Sequence, residues 1–410
     1  MGQVLRQEEY SEQINYLDIL HSDSKGWITK AEINCGYKQW HYRYNELLEQ
    51  DFNQENVYIS INTFYSTFRR LEYIKELKAQ FIDLDIYKTG FTKEQIIMHL
   101  EADYFNKSIP RPNLIIDSGR GLYLIWLLNS VPSKALPLWK AIEEYLYSVL
   151  KPFGADRQAL DPTRILRVPG SINSKSKTTV KVIEQYDYIY DLREIQNEYL
   201  PELEERKAKK KGRPSKTVFI HRERSLYYAR IQDIIKLCEL REYDLKGHRE
   251  LILFLYRYYL CYFLEDTQKA LGDVLELNRE FIYPLSETEV IRATRSAEKV
   301  YLSKDKDYKY KNETLIELLL ITELEETYMS TIISNREYKR RNNEYNKNKY
   351  QEKLRADGKV SEKDKISQRR EKIKALLEQG FKQKEIYLSL NISKRTCIND
   401  IKYLKEQGLI

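Results

Sequence analysis

The run "KAQFIDLDIYKTG", residues 78–90, places Asp83 and Asp85 inside an otherwise apolar, strand-length segment. Side chains two apart on a strand share a face, so both carboxylates project together while Ile82, Leu84 and Ile86 turn to a core. Two neighbouring like charges need either a solvated face or a compensating cation. An edge strand with one wet face meets the first need. A hard divalent ion such as Mg2+ or Mn2+, which prefers carboxylate and phosphate oxygens, meets the second.

Around this run the chain reads as mixed α/β up to about residue 200. "NVYISINTF", "PNLIIDSG", "GLYLIWLL" and "TVKVIEQYDYIYDL" are strand-length and rich in β-branched or aromatic residues. Two helical patterns lie between them. One opens on Thr92 with Gln95 three residues on, as in a capping box. The other runs from Ser133 to a stop near Pro152 and Gly154. At 410 residues the chain is long enough for about two or three domains.

The period breaks at "EERKAKKKGRPSK", which is basic and carries Gly212 and Pro214, and so reads as a linker over 201–217. Residues 218–330 are helical, with "RELILFLYRYYLCYFL" apolar nearly all round and therefore buried. A basic, Asn-rich stretch over 331–362 reads as a solvated helix or tether. Residues 363–410 carry the helix-turn-helix pattern. Its first helix ends at Gly380, and its third is capped by Ser393. The expected core is Ile373, Leu376, Leu377, Ile386, Leu390, Ile392, Ile398, Ile401 and Leu404. Lys394, Arg395, Thr396, Asn399 and Lys402 fall on or near the exposed face of the third helix, where Asn or Arg can read base edges and Lys meets phosphate.

The net charge of +7, concentrated after residue 205, fits a nucleic-acid partner. The start lacks the apolar core of a signal peptide, and no run of about 18 apolar residues occurs, so the expected setting is cytoplasmic, with no membrane partner. Cys35, Cys238, Cys261 and Cys397 are far apart and form no zinc spacing. No GxxxxGK[ST] element is present, so any helicase must be another protein.

Two further segments carry chemistry. In "IIDSGRGLYLIWLL", Ser118, Gly119, Arg120 and Gly121 separate two strand-like runs. The segment is a hairpin turn, or a turn whose N–H groups and Arg120 hold a triphosphate. In "GADRQALDPTRILRVPGSINSK", Asp156 and Asp161 precede Arg164, Arg167 and Lys175. Arginine grips phosphate bidentately and lysine supplies a point charge.

Taken in order, the carboxylate pair, the Gly-rich hairpin and the acid–Arg–Arg–PGS-N-K series resemble the archaeo-eukaryotic primase superfamily, in its primase-polymerase branch, over residues 50 to 190. The whole arrangement is similar to replication initiators of theta-replicating Gram-positive plasmids. The resemblance implies an α/β (α+β) primase-polymerase core with an RRM-like sheet over 1–200, a helical domain over 218–330 like those that follow such cores, and a C-terminal helix-turn-helix. It implies that Asp83, Asp85 and Asp156 are catalytic metal ligands for Mg2+ or Mn2+, with Asp161 as the alternative third acid. It implies that Ser118, Gly119, Arg120, Gly121, Tyr123, Arg164, Arg167 and Lys175 meet the nucleotide. Tyr123 stands where the family's SGxGxH hairpin carries histidine. A tyrosine donates one hydrogen bond but brings no positive charge, which makes nucleotide affinity and polymerase activity the points to test.

The implied function is initiation of plasmid or mobile-element replication by a primase-polymerase. Its partners would be a single-stranded DNA template, duplex origin DNA, NTP or dNTP, and a host or element-encoded helicase and polymerase. Two alternatives remain open: a catalytically idle initiator of the same fold that recruits host replication proteins, and a helix-turn-helix transcription regulator.

Overall fold

The computed structural model describes residues 13–34, 36–203, 215–303, 308–356 and 362–410. Most of the expected linker, including the "KKKGRP" run, lies outside these residues, as does Cys35. The described residues fall into two compact units divided between Ile332 and Ile333.

The first unit opens as mixed α/β with antiparallel sheets. Its strands are β1 (Ile28–Ile33), β2 (Tyr37–Tyr42), β3 (Val57–Ser60), β4 (Thr63–Phe64), β5 (Ile74–Leu84), β6 (Leu114–Asp117), β7 (Leu122–Pro132), β8 (Ile165–Arg167), β9 (Ile172–Asn173), β10 (Thr178–Thr179) and β11 (Lys181–Gln185). One sheet has the order β2-β1-β3-β8, another β11-β6-β7-β5-β4, and β9 and β10 form a small ribbon. Helices α1 (13–21), α2 (Tyr44–Leu48), α3 (Lys93–Asp103), α4 (Leu136–Leu150) and α5 (Leu192–Tyr199) are interleaved with the strands. The Thr92–Gln95 capping box is formed at the start of α3. A 3-10 turn over Ser133–Ala135 delays the second expected helix to Leu136.

The free edge of β5 decides where α4 and residues 154–156 pack. β5 pairs with β7 on one side, but on the other its strand partner β4 reaches only Glu76. Beyond that point α4 takes over: Trp139 Nε1 donates to Ala79 O at 2.9 Å, and Phe81 N donates to Glu143 Oε1 at 2.8 Å. Residues 154–156 finish the edge, with Asp85 N donating to Gly154 O and Asp156 N to Asp83 O, both at 2.8 Å. An open buried edge would leave these groups unsatisfied at about 1–3 kcal/mol each. Gly154, at φ +87°, lets the segment turn in beside Asp85 O.

His21, at the end of α1, is fully buried. Its Nε2 lies 3.0 Å from Ser60 O, so that nitrogen carries the proton, and Nδ1 meets Ser24 Oγ at 3.2 Å. Burial, opposed by the Ser60 bond and reinforced by Lys78, pushes its pKa down to about 3. The unfolded chain takes up a proton near pH 6.5 that the folded chain refuses. This stability is therefore fully present above pH 6.5 and is lost as pH falls from there toward 3, at about 1.4 kcal/mol per pH unit. Unfolding free energies from urea titrations are expected to hold from pH 7.5 to 6.5 and to fall with about that slope from there to pH 5, and His21→Gln is expected to flatten the fall.

The rest of the first unit is helical: α6 (Lys216–Leu240), α7 (Arg249–Leu264), α8 (Thr267–Glu280), α9 (Glu287–Ser303), α10 (Asn312–Leu319) and α11 (Glu323–Tyr328). As its all-round apolarity requires, α7 is buried along nearly its whole length. Its one interior cation, Arg257, is matched by Glu298 at 2.6 Å and Thr294 at 3.0 Å from α9. Ion pairs join these helices to the sheets. Arg70 meets Glu72 at 3.0 Å and also Glu280, while Tyr256 donates to Glu72 at 2.9 Å. Arg224 joins Glu144 at 3.2 Å and Glu265, which also holds Arg157.

The second unit holds α12 (Asn335–Ala356), α13 (Glu362–Glu378), α14 (Gln383–Ser389) and α15 (Lys394–Glu406). The last three close around Ile373, Ile386, Cys397 and Leu404, with Leu376, Leu377, Leu390, Ile392 and Ile401 packed against them. Asp400 bonds Arg369 at 2.6 Å and Arg370 at 2.8 Å, tying α15 to α13. One expected core residue differs. Ile398 is 41% exposed and Cys397 lies inside. With 397, 401 and 404 facing inward at i, i+4 and i+7, position 398 is rotated about 100° out of the core. Ile386→Ala is expected to cost about 2–4 kcal/mol, whereas Ile398→Ser is expected to stay within about 0.5 kcal/mol. Urea unfolding followed on the second unit checks both.

Candidate active site

The strand register sets up the site. Asp83 on β5 is paired with Tyr123 on β7, and Tyr123 with Ile116 on β6. Arg167 on β8 is paired with Tyr58 on β3, its guanidinium 4.9 Å from the Tyr58 ring centre. Asp85, Asp156, Arg164 and Arg167 all lie within electrostatic reach of Asp83. Burial, with Asp85 and Asp156 adding to it and Arg164 and Arg167 opposing, pushes the Asp83 carboxyl up to about 7. Burial and the nearby Asp83 push the Tyr123 phenol up as well, against the pull of Arg167. Arg167 Nε is buried with no hydrogen-bond partner.

Asp85 departs from a simple two-on-a-face picture. β5 ends at Leu84, and Asp85 begins the 3-10 turn Ile86–Lys88. Its carboxylate is held by Lys88 and by Tyr87 OH at 3.4 Å. The donor chemistry fits a hard divalent cation, since Asp83, Asp85 and Asp156 all offer carboxylate oxygens. The carboxylates are not converged, however: among the described residues no three acidic, His or Cys side chains form a ready metal cage.

The two candidate third acids are placed differently. Asp156 is drawn beside Asp83 by the edge pairing, and its side chain accepts from Gln158 N at 3.1 Å. Asp161 accepts from Thr163 N at 2.8 Å and from Thr163 Oγ1. Burial would raise its carboxyl, but Lys269 and the Thr163 bonds outweigh that and hold it low.

The hairpin turn packs against the end of β5. A Cβ on Gly121 would overlap the Leu84 carbonyl, and one on Gly119, at φ +97°, would overlap Ser176. The Ser118 and Gly119 N–H groups are already committed, to Gly121 O at 3.0 Å and Asp117 Oδ1 at 2.8 Å. Arg120 lies 3.9 Å from the Tyr87 ring centre, a cation–π contact. Lys175 is exposed in the turn between β9 and β10, and no bond or ion pair ties its ammonium to the acids. On α15, Lys394, Arg395, Asn399 and Lys402 are exposed and Thr396 is half-buried.

Several residues at the site carry no clear mark in the sequence. Tyr58 supports Arg167. Lys93, the first residue of α3, reaches Asp117 at 2.5 Å and Gly119 O at 3.0 Å. Asn173 donates to Ser118 O at 2.7 Å. Only Asn173 carried a signal, as the last residue of "PGSIN".

No protein-family model matches the sequence. Over 397 residues the chain is 66% identical to a Replication protein from Clostridium perfringens, covering 97% of this chain and 98% of that one. The chain belongs to this family of replication proteins. Among solved structures, the AEP domain of the cyanophage S-2L primase-polymerase matches 46% of the chain and 96% of its own length, at 14% identity and a TM-score of 0.34. The primase RepB' matches 72% and 98%, at 10% identity and the same TM-score. These superpositions are too loose to assign roles in the replication-protein chain. Among its described residues no helix is long and apolar enough to cross a membrane.

Proposed function

We propose that this chain initiates replication of a plasmid or mobile element and makes primers by metal-dependent, template-directed nucleotidyl transfer. The observation that carries the reading is the pairing of residues 154–156 with the free edge of β5, which sets Asp156 beside Asp83, itself within electrostatic reach of Arg164 and Arg167. The relative called Replication protein supports the biological setting.

Asp83, Asp85 and Asp156 would hold Mg2+ or Mn2+, which offsets charge on the phosphates of a bound nucleotide. Arg164 and Arg167 grip phosphate oxygens, and the unclaimed Arg167 Nε gains a partner. Arg120 closes from the hairpin and Tyr123 donates one hydrogen bond. Lys175 contributes at longer range. A 3′-hydroxyl attacks the α-phosphate and pyrophosphate leaves. In this reading the five-stranded sheet is the RRM-like sheet of a primase-polymerase core over 1–200. Residues 218–330 form its helical companion domain, reached through the 201–217 linker. After the 331–362 tether, residues 363–410 are a helix-turn-helix that grips duplex origin DNA through Lys394, Arg395, Thr396, Asn399 and Lys402.

The test incubates the full chain with single-stranded template, nucleotides and Mg2+ or Mn2+. Primers that depend on both nucleotide and metal are expected. No product with either ion favours a second reading, an idle initiator that binds origin DNA and recruits host proteins. The Lys88–Asp85 pair and Tyr123 are the observations that favour it.

A further inference from the structure

The sheet β2-β1-β3-β8 carries a feature that starts at Arg167, in the nucleotide site, and extends beyond it. Register places Gln39, Ala31, Tyr58 and Arg167 in one row across the four strands. Directly paired residues of antiparallel strands share a face, so these four side chains project to the same side. That row spans about 14 Å from Arg167 at the acidic cluster to the outer strand β2. Two residues along β2, on the same side, Tyr37 is 49% exposed.

Arg69 is held across this region. It donates to Thr163 O at 2.6 Å, to Gln39 Oε1 at 3.3 Å and to Tyr37 OH at 3.0 Å. The face therefore presents two aromatic rings, Tyr37 and Tyr58, each beside a guanidinium, Arg69 and Arg167. His41 and Thr29, paired with each other, also lie on this side. The acid of β1, Glu32, is on the opposite side with Lys30 and Trp40. No carboxylate of these four strands interrupts the track.

Alternating rings and guanidinium groups are the chemistry that holds a single-stranded nucleic acid, with rings stacking on bases and cations tracking phosphates. We propose that this sheet face, from Arg167 outward to Tyr37, binds single-stranded nucleic acid and leads it to Asp83. Only the direction, toward the acids, rests on the function proposed above; the binding itself needs neither metal nor nucleotide.

The experiment uses the full chain with an oligothymidylate containing 5-iodouracil, in EDTA and without nucleotides. Ultraviolet crosslinks are mapped by mass spectrometry, and affinity is read by fluorescence anisotropy. A crosslink in the peptide carrying Tyr37 is expected. Tyr37→Ala is expected to lower single-strand affinity about tenfold, and Tyr37→Phe, which keeps the ring, to restore it. Trp40→Ala, an exposed aromatic on the opposite side of the same strand, is expected to leave affinity unchanged. Crosslinks confined to other segments, or equal losses for Tyr37→Ala and Trp40→Ala, would overturn the proposal. Binding here with no primer synthesis would sink the enzyme reading alone.

Discussion

The double substitution Asp83→Asn, Asp85→Asn is expected to abolish primer synthesis, by at least about 10³-fold, while leaving the fold intact. Both parts stem from the same geometry. On the proposed function, the reaction needs negative oxygen donors at Asp83, Asp85 and Asp156. The fold does not need them, because burial and its two acidic neighbours already disfavour a charge on Asp83. Asparagine keeps the shape and removes a crowded buried charge, so the thermal midpoint should hold or rise. A large fall in the midpoint would show instead that the acids hold the fold together through Arg164 and Arg167.

Gly121→Ala is expected to have the second largest effect, at about 3 kcal/mol or more. The added methyl would overlap the Leu84 carbonyl, which is backbone and cannot swing aside. Either β5 or the turn must move, and both bear on the acids. Nucleotide affinity should therefore fall along with stability. Gly90→Ala is the control, since a Cβ there meets nothing within 4 Å, and it is expected to be near neutral. A Gly121→Ala protein as stable as wild type, judged by urea unfolding, would contradict the close packing of hairpin and strand.

Much of this was legible in the chain because it is local. The apolar runs, the Thr92 and Ser393 caps and the all-round apolarity of α7 each need only a few neighbouring residues. β1 and β2 were not legible. "ITKAEI" and "YKQWHY" mix charges and aromatics because both of their faces carry polar groups. Ile398 and Cys397 were exchanged because a one-residue rotation about a short helix changes the core but barely changes the pattern. The placement of Asp156 beside Asp83 depends on a backbone pairing some seventy residues apart, on an edge that no local pattern marks. The Arg70–Glu72–Glu280 network is equally non-local, and nothing in "RRLEY" announces it.

The choice of third acid offers the most direct test, because Asp156 and Asp161 are close in sequence but differently engaged. Asp156 meets the cluster at Asp83, whereas Asp161 is bound to Thr163 and influenced by Lys269. Primer synthesis on a single-stranded template, with Mg2+ and again with Mn2+, should be measured for the wild type, Asp156→Asn and Asp161→Asn. The account predicts product from the wild type, none from Asp156→Asn, and retained synthesis from Asp161→Asn. Loss of synthesis in Asp161→Asn with activity kept in Asp156→Asn, or no product from the wild type with either ion, would contradict it.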